Sequence, residues 1–496
     1  MHKVAGSPFF VFKVKNHKGG HKMIRKSILT AGLILMTLVL SMSSVYANSA
    51  QTRWSGTDST GAIVFDEESP IIVEKELLTF DIGEFPQSYY RDVNEFVAYS
   101  AKVTAEYTFY NPSDYTVTAT LAFPFGGTAD YADLYDHELN KRLLNVDTEK
   151  YDVIVDGHPI EKQIRHTLMY YGGQFELEED LNKLHDGFMK DDFYSPELSV
   201  YKYTYSPKNV DLEKHPAASA AIKLTGDSSQ TKLYMENQSG GRTLEDGVLL
   251  ETWVERNDQF SVYIIGKPLK DELEWTFYHN GACEEEISGT MLQVAYEEIT
   301  FKDLALSYYQ EDSGILDYDW YNAIVTSLKA NEWSNGAIHT FDFNLDVSNT
   351  LMRWYQYEIT LEPQQRVVNA VTAPMYPAIN SDYEPPIFKY TYLLSPAKTW
   401  KEFGNLDIVI NTSYYLIESN QDFQYNNPGY EVHLTGLPEG ELVFTLCSDS
   451  NPEAPVYTRS YLPFIMVAGT FLSAVALVFF VFSIAKRKRR LKRDVE

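Results

Sequence analysis

Cysteine occurs only twice in 496 residues, at Cys283 and Cys447, which excludes a disulfide-dense scaffold. There is no C-x-x-C pair and no H-E-x-x-H, and the eleven histidines are scattered, so no zinc enzyme is expected. A G-x-S-x-G elbow, a Gly-rich phosphate loop and an S-x-x-K motif with its partner motifs are missing too, which removes the familiar nucleophile and nucleotide chemistries. Basic charge is scarce: 42 Lys and Arg face 69 Asp and Glu, a formal charge of −27, which excludes a nucleic-acid binder. Disorder on a large scale is excluded by 44% hydrophobic residues against 22% charged.

What is present first is an address at each end. From Met23, the expected initiator, two basic residues precede an apolar stretch from Ile28 to Leu40. Val45-Tyr46-Ala47 then offers a small-x-small site, so residues 1–47 read as an N-terminal extension plus a signal peptide cleaved after Ala47. Near the other end, Phe464 to Ala485 runs 22 residues without a charge, and about 33 Å of helix spans the hydrocarbon core. Lys486 to Arg493 (KRKRRLKR) follows and belongs on the cytoplasmic side. The expectation is a single-pass type I cell-membrane protein. Residues 462–485 form its transmembrane helix, with residues 464–485 in contact with lipid, and 486–496 form a basic cytoplasmic tail. Leu462-Pro463-Phe464 is not an LPxTG sorting motif, so the helix is the anchor.

Between these ends, residues 48–461 hold 67 acidic and 28 basic residues, and they alternate in the manner of strands. Lys102 to Tyr110 and Tyr115 to Phe125 alternate on either side of Asn111-Pro112-Ser113-Asp114, which predicts a hairpin. Tyr151 to Val155 runs into an Asp156-Gly157 turn. Further strands are expected at Val248–Val254, Phe260–Ile265, Leu273–Tyr278 and Met291–Tyr296, the last two joined as a hairpin through Asn280-Gly281. Others fall at His339–Leu345, Leu351–Leu361 and Leu406–Ile410. Helices are expected near Leu181–Met189, Phe301–Tyr309 and Ile315–Leu328, the last with Ile315, Trp320, Ile324 and Leu328 on one face. The fold class is mainly β, with two or more β-sandwich domains, a small helical insertion and the C-terminal transmembrane helix. The domains read as a first β-domain at 48–165, an insertion and middle α+β region at 166–333, and a membrane-proximal β-domain at 334–458.

The order of alternating strand, Asn111-Pro112-Ser113 turn, alternating strand ending in Phe123-Pro124-Phe125, then YDVIVDGHPI from Tyr151 to Ile160 resembles the N-terminal β-domain of vault/inter-alpha-trypsin type. It is also similar to uncharacterised bacterial membrane-anchored ectodomains with that domain, and Trp400 and Gly404 sit in a second stretch like theirs. The resemblance covers Phe96 to Ile160 and implies a β-sandwich serving as an interaction platform. In that family a von Willebrand type A domain with a DxSxS metal site often follows. The nearest string here, Asp227-Ser228-Ser229-Gln230-Thr231, is better read as a polar turn.

No catalytic, cofactor or metal site is assigned from the sequence. Calcium has one candidate, Asp342-x-Asn344-x-Asp346, where an EF-hand fails because Val347 replaces the required Gly and Arg353 the final Glu. A solvent-facing strand explains it more simply. The alternative function is a surface carbohydrate-active hydrolase using paired carboxylates, with Glu251, Glu255, Asp317 and Asp319 as candidates. Trp253, Trp275, Trp320, Trp333, Trp354 and Trp400 could serve an aromatic binding surface, although alternating aromatics are ordinarily core. Cys283 and Cys447 lie where a disulfide persists, and a bridge and two separate thiols are equally open. The favoured function is a binding or structural platform at the cell surface, with an extracellular protein or glycan as partner and no nucleic acid. Sequencing the N-terminus of the protein purified from its native membrane should return Asn48-Ser49-Ala50; a chain beginning at Met1 or Met23 would overturn the cleavage site.

Overall fold

A computed structural model describes residues 53–54, 58–65, 68–86, 101–127, 151–169, 175, 177–224, 227–245, 247–255, 259–269, 273–309, 313–332, 335–338, 347 and 350–454. The expected signal peptide, transmembrane segment and His339–Leu345 strand lie outside them. Among the described residues no helix is long and apolar enough to cross a membrane.

The principal strands, leaving short pairing segments unlabelled, are β1 (Ile72–Asp81), β2 (Ala101–Tyr110), β3 (Val117–Pro124) and β4 (Gln163–Leu168). A short helix α1 (Leu177–Leu181) precedes β5 (Ser199–Lys208), β6 (Ser219–Leu224), β7 (Thr231–Met235), β8 (Gly247–Trp253), β9 (Phe260–Gly266), β10 (Trp275–Tyr278) and β11 (Thr290–Thr300). Helices α2 (Phe301–Leu306) and α3 (Asp317–Ala330) follow. The chain closes with β12 (Leu351–Leu361), β13 (Arg366–Met375), β14 (Ile387–Leu393), β15 (Phe403–Asn411), β16 (Gly429–Thr435) and β17 (Leu442–Cys447). The mainly β class holds.

One sandwich draws strands from both ends of this set. Its largest sheet has eight strands, with β16-β15-β1-β2-β13 as consecutive neighbours. A four-stranded sheet containing β3-β12-β4 and a six-stranded sheet built on β14 and β17 share its core. Alternation puts Val103, Ala105, Tyr107 and Phe109 of β2 inward, where Phe109 meets Trp400; from β1, Phe80 packs edge-on to Tyr392 and Phe444. The expected separate β-domains at 48–165 and 334–458 are therefore one body, because β2 pairs antiparallel with β13 and β3 with β12.

The predicted 102–125 hairpin is also corrected. β2 and β3 each take their partners elsewhere, so Asn111 to Thr116 form an arch that passes from one sheet to another. Glu362 to Gln365 make a matching arch between β12 and β13. Asn111, fully buried, locks the two together: its Nδ2 lies 2.8 Å from the Tyr115 carbonyl, 3.2 Å from that of Leu361 and 3.1 Å from that of Glu362. Its Oδ1 accepts from the Ser113 amide at 2.9 Å, and its own amide donates to the Gln365 carbonyl at 3.0 Å. The Asp156-Gly157 turn is present, with φ of 47° and 81°, the left-handed pair a tight hairpin requires.

The middle region leaves this sandwich at β4 and re-enters at β12, and those strands are paired, with Leu168 opposite Leu351. Its four-stranded sheet runs β7-β9-β5-β11, and its five-stranded sheet contains β8-β6-β10. Leu233, Met235, Phe260, Val262 and Ile264 of the first pack against Ile222, Leu224, Val248 and Leu250 of the second. The opposite face of the four-stranded sheet, with Val200, Tyr234, Tyr263 and Ile265, lies on α2 and α3. The helix expected at 315–328 is α3, the one at 301–309 is the shorter α2, and the one at 181–189 is displaced to α1. The expected β10–β11 hairpin is corrected as well, since β10 pairs with β6 and with Glu286–Ile287, whereas β11 pairs with β5.

Replacing Asn111 with Ala strips the arch carbonyls of their shared donor and should cost about 2–3 kcal/mol. In urea unfolding this should lower the midpoint without changing the slope, and an unaltered midpoint would show that the arches hold without it.

Candidate functional site

Among the described strands of seven residues or more, the least covered is β11. It pairs with β5 along one side only and ends its sheet, so among the described residues its outer backbone edge has no partner. Leu292, Val294 and Tyr296 are 49%, 42% and 46% exposed, although each is large and apolar. A register shift opposite Thr204 and Tyr205 passes over Val294, pairing Ala295 with Thr204 and Gln293 with Tyr205. Tyr296 stacks obliquely on Tyr203 with centroids 5.1 Å apart, and its hydroxyl donates to Glu298 at 2.6 Å. Thr290 to Tyr296 carries no charge, proline or glycine, and only Glu297 and Glu298 guard the far end. Edge strands are usually blunted by lysine, proline or bulges because an open edge templates pairing with another chain; β11 has the bulge at Val294 but neither lysine nor proline. The sequence located this strand but took it for half of a hairpin. The signal overlooked was a seven-residue uncharged run whose alternation lacks a polar face.

The residues weighed from sequence are dispersed. Asp319 is buried and bound to Arg165, while Asp317 stands exposed at the start of α3. Glu251 lies 3.5 Å from Arg242 on the five-stranded sheet, and Glu255 is exposed just beyond β8. Asp227 caps its own turn through Ser229, its carboxyl held low by the Ser229 hydroxyl and amide, as a polar turn should be. The calcium candidate Asp342-x-Asn344-x-Asp346 and Trp333 lie outside the described residues. Of the other tryptophans, Trp320, Trp354 and Trp400 are buried with their ring N–H groups bonded to the Ala305 carbonyl, the Thr167 hydroxyl and the Ala62 carbonyl. Trp275 is half-buried against Tyr205 and Phe260, and Trp253 alone is largely exposed. Cys283 and Cys447 are separate buried thiols, so the two-thiol alternative is the one present. Cys283 contacts the Ser219 hydroxyl at 3.6 Å and Cys447 the Pro386 carbonyl at 3.4 Å.

At the root of the middle region the charges are buried. Arg165 of β4 holds Asp319 of α3 with Nε at 3.1 and 3.2 Å and Nη2 at 3.0 Å, and also donates to Gln356 of β12 and to the His185 carbonyl. The His166 amide adds a bond to Asp319 at 2.9 Å. Burial, then Arg353 and Arg165, push the His166 ring down to about 3, so it is a neutral imidazole. Desolvation raises the Asp319 carboxyl while Arg165 pulls it back. This is a structural joint; each charge is already engaged.

A second buried acid lies in the large sandwich. Glu76, Tyr107 and Asn369 occupy one row across β1, β2 and β13, all without exposure to water. The Tyr107 hydroxyl accepts from the Ala62 amide at 2.9 Å, and a Cβ at Gly61 would stand 2.7 Å from it, so a side chain there would push that hydroxyl aside. Burial pushes the Glu76 carboxyl up to about 8, against a smaller lowering by Tyr107. In the unfolded chain it ionises near 4.5 and in the folded chain near 8, so its contribution is full in acid and fades as pH rises between them, by about 5 kcal/mol in all. Glu76→Gln should therefore flatten the decline in stability from pH 5 to pH 8, giving the variant a higher melting temperature than wild type at pH 8. Parallel curves across that range would show that Glu76 is not a neutral acid in the fold.

No protein-family model matches the chain, and no curated protein matches it. Among solved structures it is similar to a "putative nutrient binding protein" from Legionella pneumophila subsp. pneumophila str. Philadelphia 1, at 10% identity and a TM-score of 0.31, over 80% of this chain and 72% of that one.

Proposed function

We propose that this chain is a single-pass cell-surface protein whose β-rich external region is a binding platform, not a catalyst, and that its binding element is the open edge of β11. The carrying observation is a strand eleven residues long with an unpaired edge among the described residues and three large apolar side chains in water. Such an edge captures an extended partner segment by adding it as a strand: main-chain hydrogen bonds supply affinity, and Leu292, Val294 and Tyr296 supply selectivity. The anchor at 464–485 and the cleaved signal would set this edge outside the cell. The resemblance of residues 96–160 to an interaction-platform domain agrees with this reading. The hydrolase alternative has no comparable support, because Asp319 is spent on Arg165 and Glu251 lies beside Arg242, while Glu255 and Asp317 stand exposed beyond β8 and at the start of α3.

The test is site-specific photocrosslinking in native cells. A photoreactive residue at position 294 should capture a discrete partner. The same residue at position 368, where Val368 is 40% exposed on the interior strand β13, should not. Capture from both positions alike, or from neither, would overturn the assignment.

A further inference from the structure

The structure assigns a second, independent feature that neither the fold nor the proposed platform requires: we propose that His215 and His279 form a binding site for a divalent late transition-metal ion. His215 closes a turn that begins at Asp211, its amide donating to the Asp211 carbonyl at 2.9 Å. His279 directly follows β10, its amide donating to the Glu285 carbonyl at 2.9 Å. The register of β6 with β10, which sets Ser219 opposite Tyr278, brings the two loops to one end of the five-stranded sheet. There the Nδ1 atoms stand 2.7 Å apart, with ring centroids at 5.0 Å and planes at 83°.

That spacing is close to what a bidentate site demands. Two ligand nitrogens about 2.0 Å from one ion and at right angles to each other are separated by about 2.8 Å, and by about 3.3 Å in a tetrahedron. The 5.0 Å centroid distance is the Nδ1 separation plus two ring radii, so the rings now meet head-on as a hydrogen bond. Turning each by about 40° brings both lone pairs onto one ion, and the proton of that bond passes through water to the Nε2 of its own ring, leaving both imidazoles neutral. The tetragonal preference and the order of divalent affinities both favour copper(II), with nickel(II) and zinc(II) behind. Both imidazoles are half-buried, so one side of the ion remains open to water. The surroundings are mainly acidic: Glu284, Glu285 and Glu286 are consecutive and exposed near His279, and Asp211 and Glu213 precede His215, with Lys214 between Glu213 and His215. Such a field concentrates cations at the loop. Among the described residues no third protein ligand joins the pair, so water completes the shell. Cys283 is not counted as a ligand, because burial pushes its thiol up and its sulfur points to Ser219.

The experiment uses the full-length protein in detergent without a histidine tag, titrated with copper(II) and followed by electron paramagnetic resonance and by melting temperature. Wild type should bind one equivalent with nitrogen coupling in the spectrum. H215Q and H279Q should each weaken that equivalent at least ten-fold while retaining the wild-type near-ultraviolet dichroism, and C283S should bind as wild type does. A wild-type spectrum without nitrogen coupling overturns the site irrespective of how the variants fold. So does undiminished binding in H215Q and H279Q, which would leave the pair as a hydrogen-bonded tie, or loss of binding in C283S, which would make the thiol a ligand.

Discussion

The pairing of β4 with β12 is the constraint on which the rest of the molecule depends. Leu168 lies opposite Leu351, so the chain leaves the large sandwich and returns to it at neighbouring positions after an excursion of more than 180 residues. Only then do β12 and β13 arrive to complete the sheets that β2 and β3 began. The large core cannot close without that return, since Tyr355, Tyr357 and Ile359 from β12 and Val367 and Val371 from β13 belong to it. An inserted body whose two ends meet in this way adds little strain to its host, as insertions between adjacent chain ends generally do.

Polar groups hold the places where this interleaving is exposed to error. The joint between host and insertion is fixed by Arg165, which reaches α3, β12 and the loop at His185 from a single guanidinium. A buried ion pair of this kind is poor evidence of extra stability, because desolvation consumes most of the attraction. Its loss on one side is nonetheless expensive, about 3–5 kcal/mol, and that asymmetry selects one orientation of the two bodies. Asn111 plays the same part at the arches, where an apolar residue could fill the space but could not bind three carbonyls. In each case the residue is the one able to satisfy the backbone or charge of a partner far away in sequence.

This explains which parts of the fold were legible. Alternation depends on side chains two residues apart, so β2, β8, β9, β12 and the strand at Val153–Val155 could be read almost to their ends, as could the three-to-four spacing of α3. Partnership is a different matter. A hairpin and an arch have the same local chemistry in Asn111-Pro112-Ser113-Asp114, and only the return of β12 and β13 distinguishes them. The same ambiguity misassigned β10 and β11. Domain boundaries at 48–165 and 334–458 failed for this reason too: sequence continuity divides what pairing unites. Of the site, the strand at Met291–Tyr296 was visible but its exposure was not, because burial of an apolar run is decided by neighbouring sheets. The two histidines, 64 residues apart, were part of a scatter until the β6–β10 register drew them together.

The acidity of the chain connects these features. Residues 48–461 carry 67 acids against 28 bases, and the uncharged run from Thr290 to Tyr296 is conspicuous against that background. A negative field repels acidic partners at long range and admits neutral or basic ones, while the apolar strand discriminates only at contact. It also protects the open edge from self-association, because two copies approaching along β11 bring their own acidic surfaces with them. An edge strand this long and this apolar would otherwise be an aggregation hazard. Net charge spread over residues 48–461 therefore does here what lysines or prolines do on most edge strands, and it leaves the edge itself uncharged.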